Sequence, residues 1–344
     1  MPLPISTGFA PMEAQSDDTL PVGSEWRYEP KWDGFRCLAF RDGAKIDLRS
    51  KSGQPLARYF PEMVDALLSL GAKRFVLDGE LVIPSGKSLS FDDLLLRLHP
   101  AESRVQRLAK ETPALFLVFD ILVDERNGSH VGRPLDERRK SLEAFARRYF
   151  ASAAQVRLSP MTRSVRTARG WLTGRSGLDG VIAKLGSAAY ASGERTAMKK
   201  IKRLRTADCV VGGFRYAAKA KIVGSLLLGL YDEDDLLHHV GFSSSFTAAQ
   251  RVELLQVVEP LVGPPGFTGR APGGPSRWST ERSGEWQPLS PKLIVEVQYD
   301  HFSGGRFRHG TKFLRWRPDK APEQCRMAQV EKEARSSLKL LESL

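Results

Sequence analysis

The chain has 344 residues, 41% of them apolar and 27% charged, which is an ordinary globular composition and enough length to bury two modest cores. Lysine and arginine outnumber aspartate and glutamate 52 to 40, a net charge of +12, and such an excess suits a polyanionic partner because each neutralised phosphate releases counterions. No apolar run approaches the ~20 residues that span a bilayer, and the start (MPLPISTGFAPMEAQSDD) lacks the basic and apolar stretches of a secretory signal, so a cytoplasmic location is expected.

In chain order, the proline-rich start reads as an extended arm. Residues 26–50 read as a hairpin, WRYEPKWDGFRCLAF and AKIDLRS, turning at Arg41-Asp42-Gly43. Helical spacing follows in PEMVDALLSL, with Pro61 in the first turn and Gly71 as its stop. FVLDGELVI (75–83) is strand-like but interrupted at Asp78-Gly79, and LFLVFDILV (115–123) has the continuous apolarity of a buried strand. Residues 135–150 return to helical spacing, and GVIAKL (180–185) is another strand. Strands that look antiparallel, mixed with helices, predict an α+β fold rather than a doubly wound one.

After about Arg203 the texture changes. DCVVGGF, SLLLGLY, LHHVGFS and KLIVEVQYDHF read as short strands, with one helix over 248–261, the composition of an OB-type β-barrel. GPPGFTGRAPGGPSRW reads as a long loop, and residues 323–344 as a charged helix. The expected domains are 1–203, 204–330 and a helical tail, 331–344. Cys37, Cys209 and Cys325 form no C-x-x-C pair, which argues against a zinc ribbon or disulfide framework and for buried thiols.

Lys31-Trp32-Asp33-Gly34-Phe35-Arg36 carries the first chemical signal. A lysine amine attacks phosphorus only when unprotonated, so its pKa must fall through neighbouring cations or desolvation. Gly34 permits close backbone approach, and Arg36 offers a fork for phosphate or ribose oxygens. Alone, K-x-D-G is a weak signal that a surface turn explains as well. Downstream, however, stand Arg49-Ser50, Asp78-Gly79-Glu80, Phe119-Asp120, Asp179-Gly180-Val181-Ile182-Ala183-Lys184, Lys200-Ile201-Lys202 and Arg315-Trp316-Arg317-Pro318-Asp319-Lys320-Ala321-Pro322. Lys200 and Lys202 alternate along a strand and therefore share a face.

In this order the segments resemble motifs I, Ia, III, IIIa, IV, V and VI of the covalent nucleotidyltransferases. Within that superfamily E-P-K-W-D-G-F-R, L-R-T-A-D-C-V-V-G-G-F and R-H-G-T-K-F-L-R-W-R-P-D-K-A-P look like an ATP-dependent DNA ligase. The small bacterial C type and the ligase module of D-type end-joining enzymes are the nearest resemblance, which runs from Trp26 to Cys325.

The resemblance implies an N-terminal nucleotidyltransferase domain followed by an OB-fold domain, ATP as substrate, a divalent metal (Mg2+ or Mn2+) and nicked double-stranded DNA as partner, in a monomer. It makes Lys31 the nucleophile that carries AMP. Glu29, Arg36, Arg49, Glu80, Phe119, Lys184, Lys200 and Lys202 become nucleotide-binding residues, with Phe119 stacked on adenine. Arg49 would also hold the 5′ phosphate. Glu80 and Asp179 would serve the metal. Asp179 stands where glutamate is usual, and one methylene less favours a water-bridged contact. Lys200 and Lys202 would stabilise charge on the α-phosphate and depress the pKa of Lys31. Arg317, Asp319 and Lys320 would orient the β- and γ-phosphates from the second domain, after closure about a hinge at 202–206. Arg215, Lys219 and Lys221 are candidate DNA-backbone contacts, with a solvated loop as the alternative reading. A GTP-dependent mRNA capping nucleotidyltransferase, an RNA ligase and a non-enzymatic OB-fold nucleic-acid-binding protein are the competing readings.

Overall fold

The computed structural model describes residues 2–86, 88–173, 178–218, 220–273, 285–331 and 338–342. The chain divides into two compact units, Met1–Arg203 with Ala334–Leu344, and Leu204–Glu333.

The first unit is built on two sheets. One has the strand order Gln15–Asp17, Met198–Lys202, Gly180–Leu185, Trp26–Lys31. The first pair is parallel and the others antiparallel. The other sheet runs Val156–Leu158, Leu115–Asp124, Arg74–Val82, Phe35–Asp42, Lys45–Ser50, antiparallel except for its first pair.

Residues 26–50 are therefore not one hairpin. The chain breaks at Trp32-Asp33-Gly34, Trp26–Lys31 joins the first sheet, and only Phe35–Asp42 and Lys45–Ser50 form the hairpin, turning at Gly43 with φ 63°. Gly34 is needed at the break because a Cβ there would lie 2.2 Å from the Leu81 carbonyl oxygen. The close approach is thus to a neighbouring strand. Asp78-Gly79 interrupts the pairing register with Leu115–Asp124, not the strand itself.

Helices Pro61–Ser69 and Leu135–Tyr149 cover one face of the larger sheet. Phe60, Met63, Leu67, Phe75, Phe116 and Leu142 form that core. A second apolar layer joins Tyr28, Trp32, Leu117, Trp171, Val181 and Ile201, with Leu340 and Leu341 packed on it. A third holds Leu38, Phe40, Val76 and Tyr190 and fastens the N-terminal arm through Leu3, Ile5 and Phe9.

The second unit is an OB-like barrel in the order Leu237–Ser243, Ala220–Tyr231, Arg205–Ala217, Ile294–Tyr299, Lys312–Trp316. A bridge from Ser243 to Thr311 links the outer strands. Helix Ala248–Val258 starts with a capping box made by Thr247 and Gln250, which satisfies two orphan amide donors. Residues 274–284 of the long Pro/Gly-rich loop lie outside the described residues. The expected helix over 323–344 is instead a set of short pieces among the described residues, Pro322–Gln324, Ala328–Glu331 and Lys339–Glu342. Pro322 opens the first piece, and Cys325 and Val330 are drawn into the barrel core. All three cysteines are free and buried. Among the described residues no helix is long and apolar enough to cross a membrane.

Candidate active site

Lys31 ends its strand opposite Gly180, and the Asp179 amide donates to the Lys31 carbonyl at 3.2 Å. That backbone pairing delivers the Asp179 carboxylate to the Lys31 ammonium, and the two form a direct ion pair. Burial alone would lower the pKa of Lys31, but attraction to Asp179, reinforced by Glu80 and Asp33, outweighs it and raises the pKa above its ordinary value. The expectation of a depressed Lys31 is corrected. The lysine whose pKa falls is Lys200, first through burial and then through the like charges of Lys202 and Lys31. A partner 148 residues away in sequence overrides the nearby cations.

A cleft of about 260 Å³ surrounds Lys31 and takes Glu29, Arg36, Glu80, Phe119, Lys184 and Lys200 into its wall. Glu29 and Lys184, each 3% exposed, are paired at 2.7 Å. The second carboxylate oxygen of Glu29, Oε1, is buried and has no hydrogen-bond partner among the described residues. Such an oxygen is costly to leave unsatisfied, so it marks a place where a donor belongs.

Phe119 is 7% exposed. The Arg36 guanidinium and the Lys184 ammonium each lie 4.5 Å from its ring centroid. The Arg36 fork, expected to meet phosphate or ribose oxygens, grips Asp78 through two bonds of 2.6 Å. Asp78 also accepts from the Tyr190 hydroxyl at 2.5 Å. A fully buried carboxylate is costly to leave without such donors.

Burial pushes the Glu80 carboxyl up to about 7, against the pull of Arg36 and Lys31. No cluster of three or more His, Cys, Asp or Glu side chains that could hold a metal occurs among the described residues. Glu80 and Asp179 are nevertheless two carboxylates acting on the same ammonium. Magnesium typically keeps several waters and takes one or two carboxylates plus substrate phosphates. That donor set fits a cation arriving with a nucleotide, not a resident protein cage.

Lys202 ends Met198–Lys202 and acts electrostatically on Lys200, while Ile201 between them is buried. Arg49 does not line the cleft. It bonds Asp47 at 2.7 Å and the Gly53 carbonyl at 3.2 Å, since residues two apart on a strand share a face. Lys51, in the turn just past the strand end, does line it. Met12 and Glu13 line it as well, with no sequence periodicity or motif to mark them, and Met198, two residues before Lys200 on its strand, shares that lysine's face.

Arg317, Asp319 and Lys320 belong to the second unit, where Asp208 gathers the two cations and Arg317 holds Asp319. Arg317 donates to Asp208 at 2.8 Å and to Asp319 at 2.7 Å, and Lys320 also bonds Asp208. Arg215 is half-buried, and its charge, with those of Arg306 and Arg270, adds to burial in lowering the His239 pKa to about 4. Lys221 pairs with Glu259 at 2.7 Å, and Lys219 lies outside the described residues.

Comparison with known proteins shows the family. The family model for the ATP dependent DNA ligase domain matches residues 11–202, and that for the ATP dependent DNA ligase C terminal region matches 219–320. The chain is 43% identical to DNA ligase C2 of Mycolicibacterium smegmatis, over 98% of each chain. It is 42% identical to DNA ligase C of Mycobacterium tuberculosis, again over 98% of each. Among solved structures, a Lig E DNA ligase has a TM-score of 0.54 at 19% identity, covering 90% of this chain and 99% of that one, a likeness of fold alone. Matches over both units and nearly full length set aside the capping-enzyme, RNA-ligase and non-enzymatic readings: the chain belongs to the ATP-dependent DNA ligases.

Proposed function

We propose that Lys31 is the residue through which this ligase seals nicks. Its amine attacks the α-phosphorus of ATP, the bond to the β-phosphate oxygen breaks, and pyrophosphate leaves as the amine loses its proton. The AMP then passes to a DNA 5′ phosphate, and attack by the adjacent 3′ hydroxyl joins the strands and releases AMP.

The observation that carries this reading is the position of Lys31 in a cleft beside a buried, unpartnered Glu29 oxygen. The exocyclic amine of adenine supplies the donor that Oε1 lacks, whereas guanine presents an acceptor at the corresponding ring position. Glu29 therefore favours ATP over GTP. Lys200 and Lys202 offset charge on the α-phosphate.

Before Lys31 can attack, Asp179 must release it. A divalent cation held by Glu80 and Asp179 would neutralise both carboxylates and screen the departing phosphates. With Asp179 turned away from the ammonium, burial would favour the neutral amine of Lys31. Arg317 and Lys320, held by Asp208, and Asp319, held by Arg317, suit the triphosphate tail, and Asp319 limits how much cationic charge they present before ATP arrives.

The test is incubation with α-labelled ATP or GTP and Mg2+ or Mn2+, followed by gel analysis. Wild-type protein should take label from ATP in preference to GTP, and Lys31→Ala none. Labelled adduct on Lys31→Ala would overturn the assignment.

A further inference from the structure

The N-terminal arm contributes a carboxylate to the junction of two clefts. Beside the nucleotide cleft lies a wider one of about 1000 Å³, lined by Ser50, Ser52, Gln54 and Arg58 among others. Glu13, Arg36, Lys51 and Glu80 line both. Hydroxyls, an amide and cations grouped this way suit a phosphate on a strand end.

At the junction one oxygen of Glu13 meets Lys51 at 3.1 Å and Arg195 at 2.7 Å. The two partners differ in freedom. Glu13 is pinned on both sides: its amide donates to the Glu194 carbonyl at 2.8 Å. The preceding Met12 amide donates to the Tyr190 hydroxyl at 3.1 Å, and the Met12 carbonyl accepts from Arg36. The strand Gln15–Asp17, just beyond, pairs with residues 199–201. Lys51 instead sits on a turn that includes Gly53 at φ 80°, with its side chain 56% exposed. An anion on an anchored backbone holds a largely exposed cation, in a pair exposed enough to exchange at little cost.

We propose that Glu13 is a place-holder for phosphate: it keeps Lys51 at the junction until the 5′ phosphate of a nick enters the wider cleft and takes Lys51 over. The inference rests on the ligase reading of Lys31 and adds to it a built-in competitor for the DNA end. A strand end lacking the phosphate has nothing to offer Lys51 in exchange and leaves the pair closed. Lys51, two residues beyond Arg49, thereby takes the role expected of Arg49.

The experiment measures equilibrium binding of full-length protein to two nicked duplexes, one with a 5′ phosphate and one with a 5′ hydroxyl, in EDTA to prevent turnover. Wild type, Glu13→Gln, Lys51→Ala and the double variant are compared. Glu13→Gln should tighten binding of the phosphorylated nick about two- to fivefold, the scale of one exposed ion pair. It should leave the hydroxyl nick unchanged, and the gain should vanish in the Lys51→Ala background. An equal gain on both nicks, or a gain that persists without Lys51, would overturn the proposal. Labelling of wild-type protein by α-labelled ATP is measured on the same preparation. Protein that labels yet shows no Lys51-dependent gain overturns this inference alone, and protein that fails to label overturns the reading of Lys31 beneath it.

Discussion

The pair of Glu29 and Lys184 allows a structural role and a recognition role to be separated in one residue. Both side chains are 3% exposed, so Glu29→Gln keeps the shape of the site and strands the Lys184 ammonium in the wall. Removing one partner of a buried pair costs about 3–5 kcal/mol. Phe119, 4.5 Å from that ammonium, still attracts it and moves the cost toward the lower end, about 3 kcal/mol. For a unit of this size each kcal/mol lowers Tm by about 2–4 °C, so a fall of about 6–12 °C is expected by calorimetry without nucleotide. Adding Lys184→Met removes the stranded charge and should recover most of that fall. ATP labelling should stay below wild type, because an amide oxygen is a weaker, uncharged acceptor than a carboxylate oxygen and Lys184 has left the cleft wall. A fall below about 2 °C for Glu29→Gln would show that the pair is not desolvated in solution and refute the reasoning.

Three further outcomes follow from the same geometry. Because Asp179 holds Lys31 above its ordinary pKa, the rate of adduct formation should climb with pH between 6 and 8, by up to about tenfold per unit; a flat profile measured by labelling would contradict a protonated resting lysine. Asp208→Ala should slow adduct formation roughly tenfold to a hundredfold by releasing Arg317 and Lys320, and unchanged single-turnover labelling would show that these residues need no positioning. His239 is held neutral down to about 4 in the folded barrel, against 6.5 for the ordinary side chain. Unfolding therefore takes up a proton between those values, and the barrel loses stability as pH falls from 6.5 toward 4. His239→Asn should flatten that loss in denaturation series at stepped pH, and an unchanged slope would place the acid sensitivity elsewhere.

Residues whose role follows from strand position were legible in the sequence. Lys31 at a strand end, the alternation of Lys200 and Lys202, and the buried run over 115–123 all follow from period-two geometry and apolar patterning. What escaped depends on partners distant in sequence. Asp179 could be read as a metal carboxylate, but nothing local tells that it reverses the expected pKa shift of Lys31. Asp208 sits inside the apolar-looking segment DCVV and gives no sign that it collects Arg317 and Lys320. The arm over 11–14 has neither helical nor strand period, because Met12 is fixed by Tyr190 and Arg36 and not by a repeating pattern of its own. The pairing of Arg49 with Asp47, two residues earlier on the same face, was likewise not singled out.

The parallel pairing of Gln15–Asp17 with residues 199–201 bears on how the enzyme is made as well as how it works. The wall of the nucleotide cleft draws on residues as early as Pro11 and as late as Lys200, so nearly the whole unit must leave the ribosome before that wall can close. The larger sheet, complete by Leu158, can assemble first, with the arm and the lysine strand waiting for residues 180–202 to complete theirs. Such long-range closure is slow relative to local structure. A stalled or truncated nascent chain would therefore display a folded sheet without an AMP site, and capture of nucleotide would report that synthesis of the unit has passed its last strand.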